Sequence, residues 1–163
     1  MTTFEDLLAA DGKLVYKTHG TSMEPMLRQD RDIVIVKVPE GRLKVNDVAL
    51  YRRGPKYVLH RVIAVCDGYY LIRGDNTYAT EKVPDSAVIG VLSAFKRKGK
   101  DYSVTDPSYL RYVRRRNATY PVRRICYGIY VRLKRCAKKL GLAPLLKKLL
   151  RRGKRHGEES PDA

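Results

Sequence analysis

The 163-residue chain has no tryptophan, two phenylalanines and three cysteines. None of its apolar runs approaches the ~18 residues that would span a bilayer as a helix. Its opening residues, Met1-Thr2-Thr3-Phe4-Glu5-Asp6, are acidic and lack the apolar core of an export signal. Cys66, Cys126 and Cys136 are odd in number and have no metal-ligand spacing, which argues against a disulfide frame and for a reducing compartment. No metal or other cofactor is expected. Acidic residues thin out along the chain: residues 1–95 hold 13 Lys+Arg against 12 Asp+Glu, whereas residues 96–163 hold 21 against 5. Of the formal charge of +17, +16 therefore belongs to residues 96–163, whose partner should be anionic.

What is present in the first hundred residues is a series of short apolar runs separated by turn residues. Thr3 and Asp6 make a loose capping box for a helix over Phe4–Ala10, stopped by Asp11-Gly12. Strands are predicted at Lys13–Thr18, Arg31–Val38, Val48–Arg52, Lys56–Val65, Tyr69–Arg73 and Ala87–Phe95. The stretch from Asn76 to Pro84 reads as a polar loop. Lys96 to Lys100 reads as a hairpin tip leading to a last strand at Tyr102–Val104. Many short strands with regular turn signals imply a mainly β domain, compact and strongly bent.

Between the first two strands lies Thr18-His19-Gly20-Thr21-Ser22-Met23-Glu24-Pro25-Met26-Leu27. Gly20 can adopt backbone angles closed to other residues and Pro25 fixes its own φ, so this turn can hold the Ser22 hydroxyl rigidly, as a nucleophile requires. His60 interrupts the apolar strand Tyr57–Ile63. Asp75 follows a strand and a glycine in Arg73-Gly74-Asp75-Asn76. Serine, histidine and aspartate at strand ends are the members of a catalytic triad, whose chain order is unrestricted. His19 reads as a turn residue at the cleft rim rather than a second base.

Taken together, these stretches resemble the signal peptidase superfamily of serine peptidases. The matching pieces are Gly20–Leu27, Asp32–Val36, Asn46–Tyr51, His60–Ile63, Gly74–Asn76, Val83-Pro84 and Val88–Val91, in the order found in that family. The resemblance implies the barrel-like (LexA-like) catalytic fold over residues 1–105. It implies Ser22 as nucleophile and His60 as general base, as in the endoplasmic-reticulum and archaeal type. Asp75 would orient the imidazole, with Asp85 as the alternative. Gly20, Thr21 and Met23 would line the oxyanion and substrate cleft. Bacterial relatives carry a serine two residues before the nucleophile, where Gly20 stands here, leaving Thr21 as the substitute hydroxyl. The implied substrate is an extended peptide, bound against a sheet edge, with small residues at the cut bond. The alternatives are a non-catalytic peptide- or lipid-binding module and a self-cleaving repressor; the repressor's DNA-binding domain and its Ala-Gly or Cys-Gly cleavage site are not seen.

Residues 106–152 are expected to form a basic helical extension, with residues 153–163 a disordered tail. Asp106-Pro107 opens one helix through Arg116. Pro121 opens another, in which Val122, Ile125, Ile129, Tyr130, Leu133 and Leu140 recur at helical spacing among arginines and lysines. Pro144 can open a third up to Arg152. Apolar on one face and basic around the other, residues 121–152 read as a binder of anionic membrane surface. Nucleic acid is unlikely as the partner, since no nucleic-acid-binding module is recognised. The expected location is cytoplasmic, or peripheral at the inner face of a membrane.

Overall fold

The computed structural model describes residues 3–139. The chain divides into two compact units at Asn117/Ala118. In the first unit, α1 (Phe4–Asp11) is capped as its sequence requires: the Thr3 hydroxyl accepts from the Asp6 N–H, and the Asp6 carboxylate accepts from the Thr3 N–H. Gly12 closes the helix in the left-handed conformation.

Eight strands follow: β1 (Lys13–Lys17), β2 (Ile33–Lys37), β3 (Val48–Arg53), β4 (Lys56–Cys66), β5 (Tyr69–Arg73), β6 (Glu81–Pro84), β7 (Val88–Arg97) and β8 (Lys100–Ser103). They form one antiparallel sheet in the order β1-β2-β7-β3-β4-β5-β6, with β8 also paired to β7. The register shifts between Ile35 and Val36 on β2, between Leu50 and Tyr51 on β3, and between Val62 and Ala64 on β4. Extra residues at such points bend a strand and increase its twist, and here they curl the sheet into a half-barrel. At the first shift, Ser93 on β7 fills the irregularity by donating its hydroxyl to the Ile35 carbonyl at 3.1 Å.

Side chains alternate across the strands, so the sheet has two cores. One face carries Val34, Val36, Leu50, Leu59, Leu92 and Phe95, covered by Leu8 of α1 and by Tyr109 and Val113 of α2 (Pro107–Ala118). The other carries Ala49, Tyr51, Val62, Tyr70, Ile72 and Val83. Because Tyr109 and Val113 sit in the first core, α2 belongs to the sheet unit and not to a separate extension beginning at residue 106. The architecture is thus mixed α/β, a curled antiparallel sheet followed by helices, rather than mainly β with one appendage. A second difference is β6: the C-terminal end of the expected loop, Glu81-Lys82-Val83-Pro84, pairs with β5 from Tyr69 to Ile72. Pro84 is tolerated because β6 ends the sheet order and needs no second ladder.

The second unit is described through α3 (Tyr120–Lys139), a helix of 20 residues. Among the described residues no helix is long and apolar enough to cross a membrane. The expected third helix, up to Arg152, and the expected tail lie outside the described residues.

Candidate active site

The loop between β1 and β2 is pinned at both ends. The Thr18 N–H donates to the Asp32 carbonyl at 3.4 Å, the Asp30 N–H to the Thr18 carbonyl at 3.0 Å, and the Gly20 N–H to the Gln29 side chain at 3.1 Å. The wholly buried Asp32 carboxylate receives Arg31 at 2.6 and 2.7 Å and the Arg28 N–H at 2.8 Å. Inside the loop Met23, Met26 and Leu27 are buried in the first core, each contributing about 1.5–3 kcal/mol over an exposed position. Gly20 has φ +83°, as its place in the turn demands. Ser22 therefore stands half-buried on a loop held from within and from both ends.

His60 and Arg61 are neighbours on β4, so they point to opposite faces of the sheet. This separation decides which carboxylate each one meets. Arg61, 1 % exposed, forms a bidentate pair with Asp75 at 2.8 and 2.7 Å and also donates to the Tyr109 hydroxyl and the Asn46 carbonyl, both at 2.9 Å. Tyr112 of α2 donates to the same Asp75 carboxylate at 2.9 Å, and Arg116 donates to the Asp75 carbonyl. Asp75 thus serves as the counter-ion of a buried arginine.

On the other face, His60 Nδ1 lies 3.2 Å from the Tyr51 hydroxyl and 3.4 Å from Glu81 Oε1. The Tyr51 hydroxyl donates to Glu81 Oε2 at 2.9 Å, and Arg53 donates to both Glu81 oxygens at 3.0 Å. A phenol has a single proton. With it directed to Glu81, the Tyr51 oxygen accepts from the imidazole, so Nδ1 carries the ring proton and Nε2 is the free base. The carboxylate that meets the ring is Glu81, not Asp75 or Asp85; Asp85 is paired with Arg42 at 3.0 Å.

The free Nε2 edge faces the nucleophile loop across Gly74. A Cβ placed on Gly74 would fall 2.6 Å from the Ser22 carbonyl oxygen, 3.0 Å from His60 Nε2 and 3.1 Å from His60 Cδ2. Only a glycine leaves room for both groups. The turn that follows it clamps the loop: the Asn76 N–H donates to the Ser22 carbonyl at 2.7 Å, and the Asn76 side chain donates to the Thr21 carbonyl at 3.1 Å.

Burial pushes the His60 pKa below its ordinary 6.5, against the opposing pull of Glu81. The ring is therefore neutral near pH 7. Burial also works against the Glu81 carboxylate, but hydrogen bonds from Arg53 and Tyr51 outweigh it and hold that carboxyl below its usual range. A cleft of about 790 Å³ is lined by Gly20, Thr21, Ser22, Met23, His60 and Glu81, and extends to the stacked pair Phe4–Tyr57, whose centroids lie 4.5 Å apart. His19 also lines it, exposed and 3.2 Å from Asp30. Among the described residues no three His, Cys, Asp or Glu side chains cluster as a metal site would require.

Searches against protein-family models and against curated proteins return no match for this chain. The structure brings Ser22, His60, Gly20, Thr21 and Met23 to one cleft and assigns Asp75 to the opposite face of β4. Sequence reasoning missed the supporting roles of Tyr51, Glu81, Arg53 and Asn76. One signal was available: an arginine inside the apolar run Val58–Ile63 must be buried and so requires a carboxylate of its own.

Proposed function

We propose that this chain is a serine endopeptidase of the signal peptidase type, with Ser22 as nucleophile, His60 as general base and Glu81, acting with Tyr51, as the orienting acid. The single observation that carries this reading is the division of the imidazole. Its Nδ1 is held by the Tyr51–Glu81 pair, while its Nε2 edge is turned to the loop that bears Ser22.

In this mechanism Nε2 takes the Ser22 proton as Oγ attacks the peptide carbonyl, and the resulting imidazolium is stabilised by Glu81. The Ser22 N–H and the Thr21 hydroxyl are the oxyanion donors of the proposal. His60 then returns the proton to the leaving amine, and water hydrolyses the acyl-enzyme by the same route in reverse. The substrate is an extended peptide with small residues at the cut bond, laid along the cleft past Met23. The curled sheet is, on this reading, the catalytic fold of that superfamily.

The test is proteolysis of a peptide mixture with cleavage sites identified by mass spectrometry. Wild-type protein should cut, and Ser22→Ala should abolish cutting without lowering thermal stability. Equal cutting by both proteins refutes the assignment; no cutting by either leaves the binding-module alternative in its place.

A further inference from the structure

We propose that α3 lies flat on an anionic lipid bilayer, its apolar face in the acyl boundary and its cations among the headgroups. The proposal is independent of the peptidase reading. Val122, Ile125, Ile129 and Leu133 are 63, 63, 51 and 60 % exposed. Spaced three, four and four apart, they share one face of the helix. Cys126 and Tyr130 extend that face on one side, with the buried Ala137 between them, and Cys136 falls within it. Together they occupy less than half of the circumference at about 100° per residue.

No charge falls within that arc. The helix has seven basic residues and no acidic one, and all seven fall on the remaining arc. The separation is complete. It is also extensive in sequence, since no Asp or Glu occurs between Asp106 and Glu158.

The absence of acids bears on the occupant. The sequence of α3 carries no carboxylate three or four residues from a cation, so the helix supplies no acid of its own against the mutual repulsion of its basic residues. A second copy of the same helix would bring the same charge to its rim. A double-stranded nucleic acid would satisfy the cations but leave the apolar face in water. An anionic bilayer satisfies both, with acyl chains for the aliphatic face and phosphate for the flanks. With seven cations interrupting its 20 residues, α3 adsorbs and does not span.

The experiment is flotation of the full-length protein with vesicles of phosphatidylcholine alone and of phosphatidylcholine with 30 % phosphatidylglycerol. Binding is expected only to the second. Ile125→Ser/Ile129→Ser should weaken it more than tenfold, and Lys134→Gln/Arg135→Gln about twentyfold, with strong dependence on salt. Circular dichroism of each variant, with the thermal transition of the sheet unit, confirms folding. Three results overturn the proposal: no flotation with anionic vesicles; flotation unchanged by the Ile125/Ile129 substitutions; or vesicle binding displaced by an equal charge concentration of duplex DNA. A concentration-dependent dimer that the Ile125/Ile129 substitutions convert to monomer, in protein that does not float, would assign the face to self-association.

Discussion

His60 and Glu81 are linked twice, directly at 3.4 Å between Nδ1 and Oε1 and indirectly through the Tyr51 hydroxyl, which stands 3.2 Å from the ring and 2.9 Å from the carboxylate. The two routes fix both the tautomer and the orientation of the imidazole. They divide the work of holding it between a carboxylate on β6 and a phenol on β3.

That division predicts a particular pattern of non-additivity. Glu81→Gln should lower kcat by about 10²-fold with little change in KM, and Tyr51→Phe by about tenfold. The double variant should be no slower than about threefold below Glu81→Gln alone, because both act on one proton. Steady-state kinetics on the four proteins checks this; a fully multiplicative loss would mean that the two residues act separately.

The pH dependence follows from the burial of His60. The ring must be neutral to accept the Ser22 proton, and its pKa is lowered, so kcat/KM should rise with pH through a midpoint below 6.5 and be level by pH 7. Glu81 favours the imidazolium. Its replacement by glutamine should therefore move the midpoint further toward acid while lowering the plateau. A rate still climbing above pH 8 would point to a lysine base instead. The same shift acts on stability: the unfolded chain binds the His60 proton more readily, so the histidine's contribution is intact above about pH 6.5 and lost as pH falls through the lower folded value.

Gly74→Ala tests the close approach of Ser22 and His60. The added methyl meets a backbone carbonyl at 2.6 Å and the imidazole at 3.0 Å, so one or both must move. Displacement by about 1 Å from a productive geometry costs ~10² in rate, and overpacking of this kind costs about 1–3 kcal/mol in stability. The variant should be folded, less stable by that amount and nearly inactive. Kinetics alongside chemical denaturation separates the two effects.

Asp75 should behave as a structural residue. Asp75→Asn leaves Arg61 buried without its charge partner, an imbalance that costs about 3–5 kcal/mol. Denaturation should show that loss. In the protein that remains folded at low temperature, the acid limb of the pH–rate profile should move toward acid, because the Asp75 charge also favours the imidazolium. The move should be smaller than in Glu81→Gln, since the Glu81 charge acts on His60 more strongly. Near-wild-type stability with a large fall in kcat would restore Asp75 to the orienting role.

Much of this arrangement was legible in the sequence. Short apolar runs bounded by turn residues placed β1 to β5 and β7 within a few residues. Gly20 and Pro25 marked the loop, and His60 marked itself as a polar residue in an apolar run. What escaped reading depended on partners far away in the chain. Glu81 lies on a four-residue strand ending in proline, too short and polar to show a period, and its pairing with β5 brings it to the imidazole. Tyr51, in the buried strand Val48–Arg53, reads as ordinary core, and nothing local shows that its hydroxyl is shared. Asp75 misled because it follows a glycine at a strand end; alternation along β4 would have assigned it to Arg61, since adjacent residues cannot serve one face. The boundary at 105 failed for a related reason: Tyr109 and Val113 repeat at a helical interval but are surrounded by arginines, which hid a core-facing stripe.

The most direct test of the central claim is covalent labelling with a serine-reactive peptidyl phosphonate, followed by peptide mapping. The geometry predicts one adduct, on Ser22, formed by the wild-type protein at pH 7, slowed about 10²-fold in Glu81→Gln and lost in His60→Ala. Labelling of Ser22 at the same rate without the imidazole, or an adduct on some other residue, would contradict it.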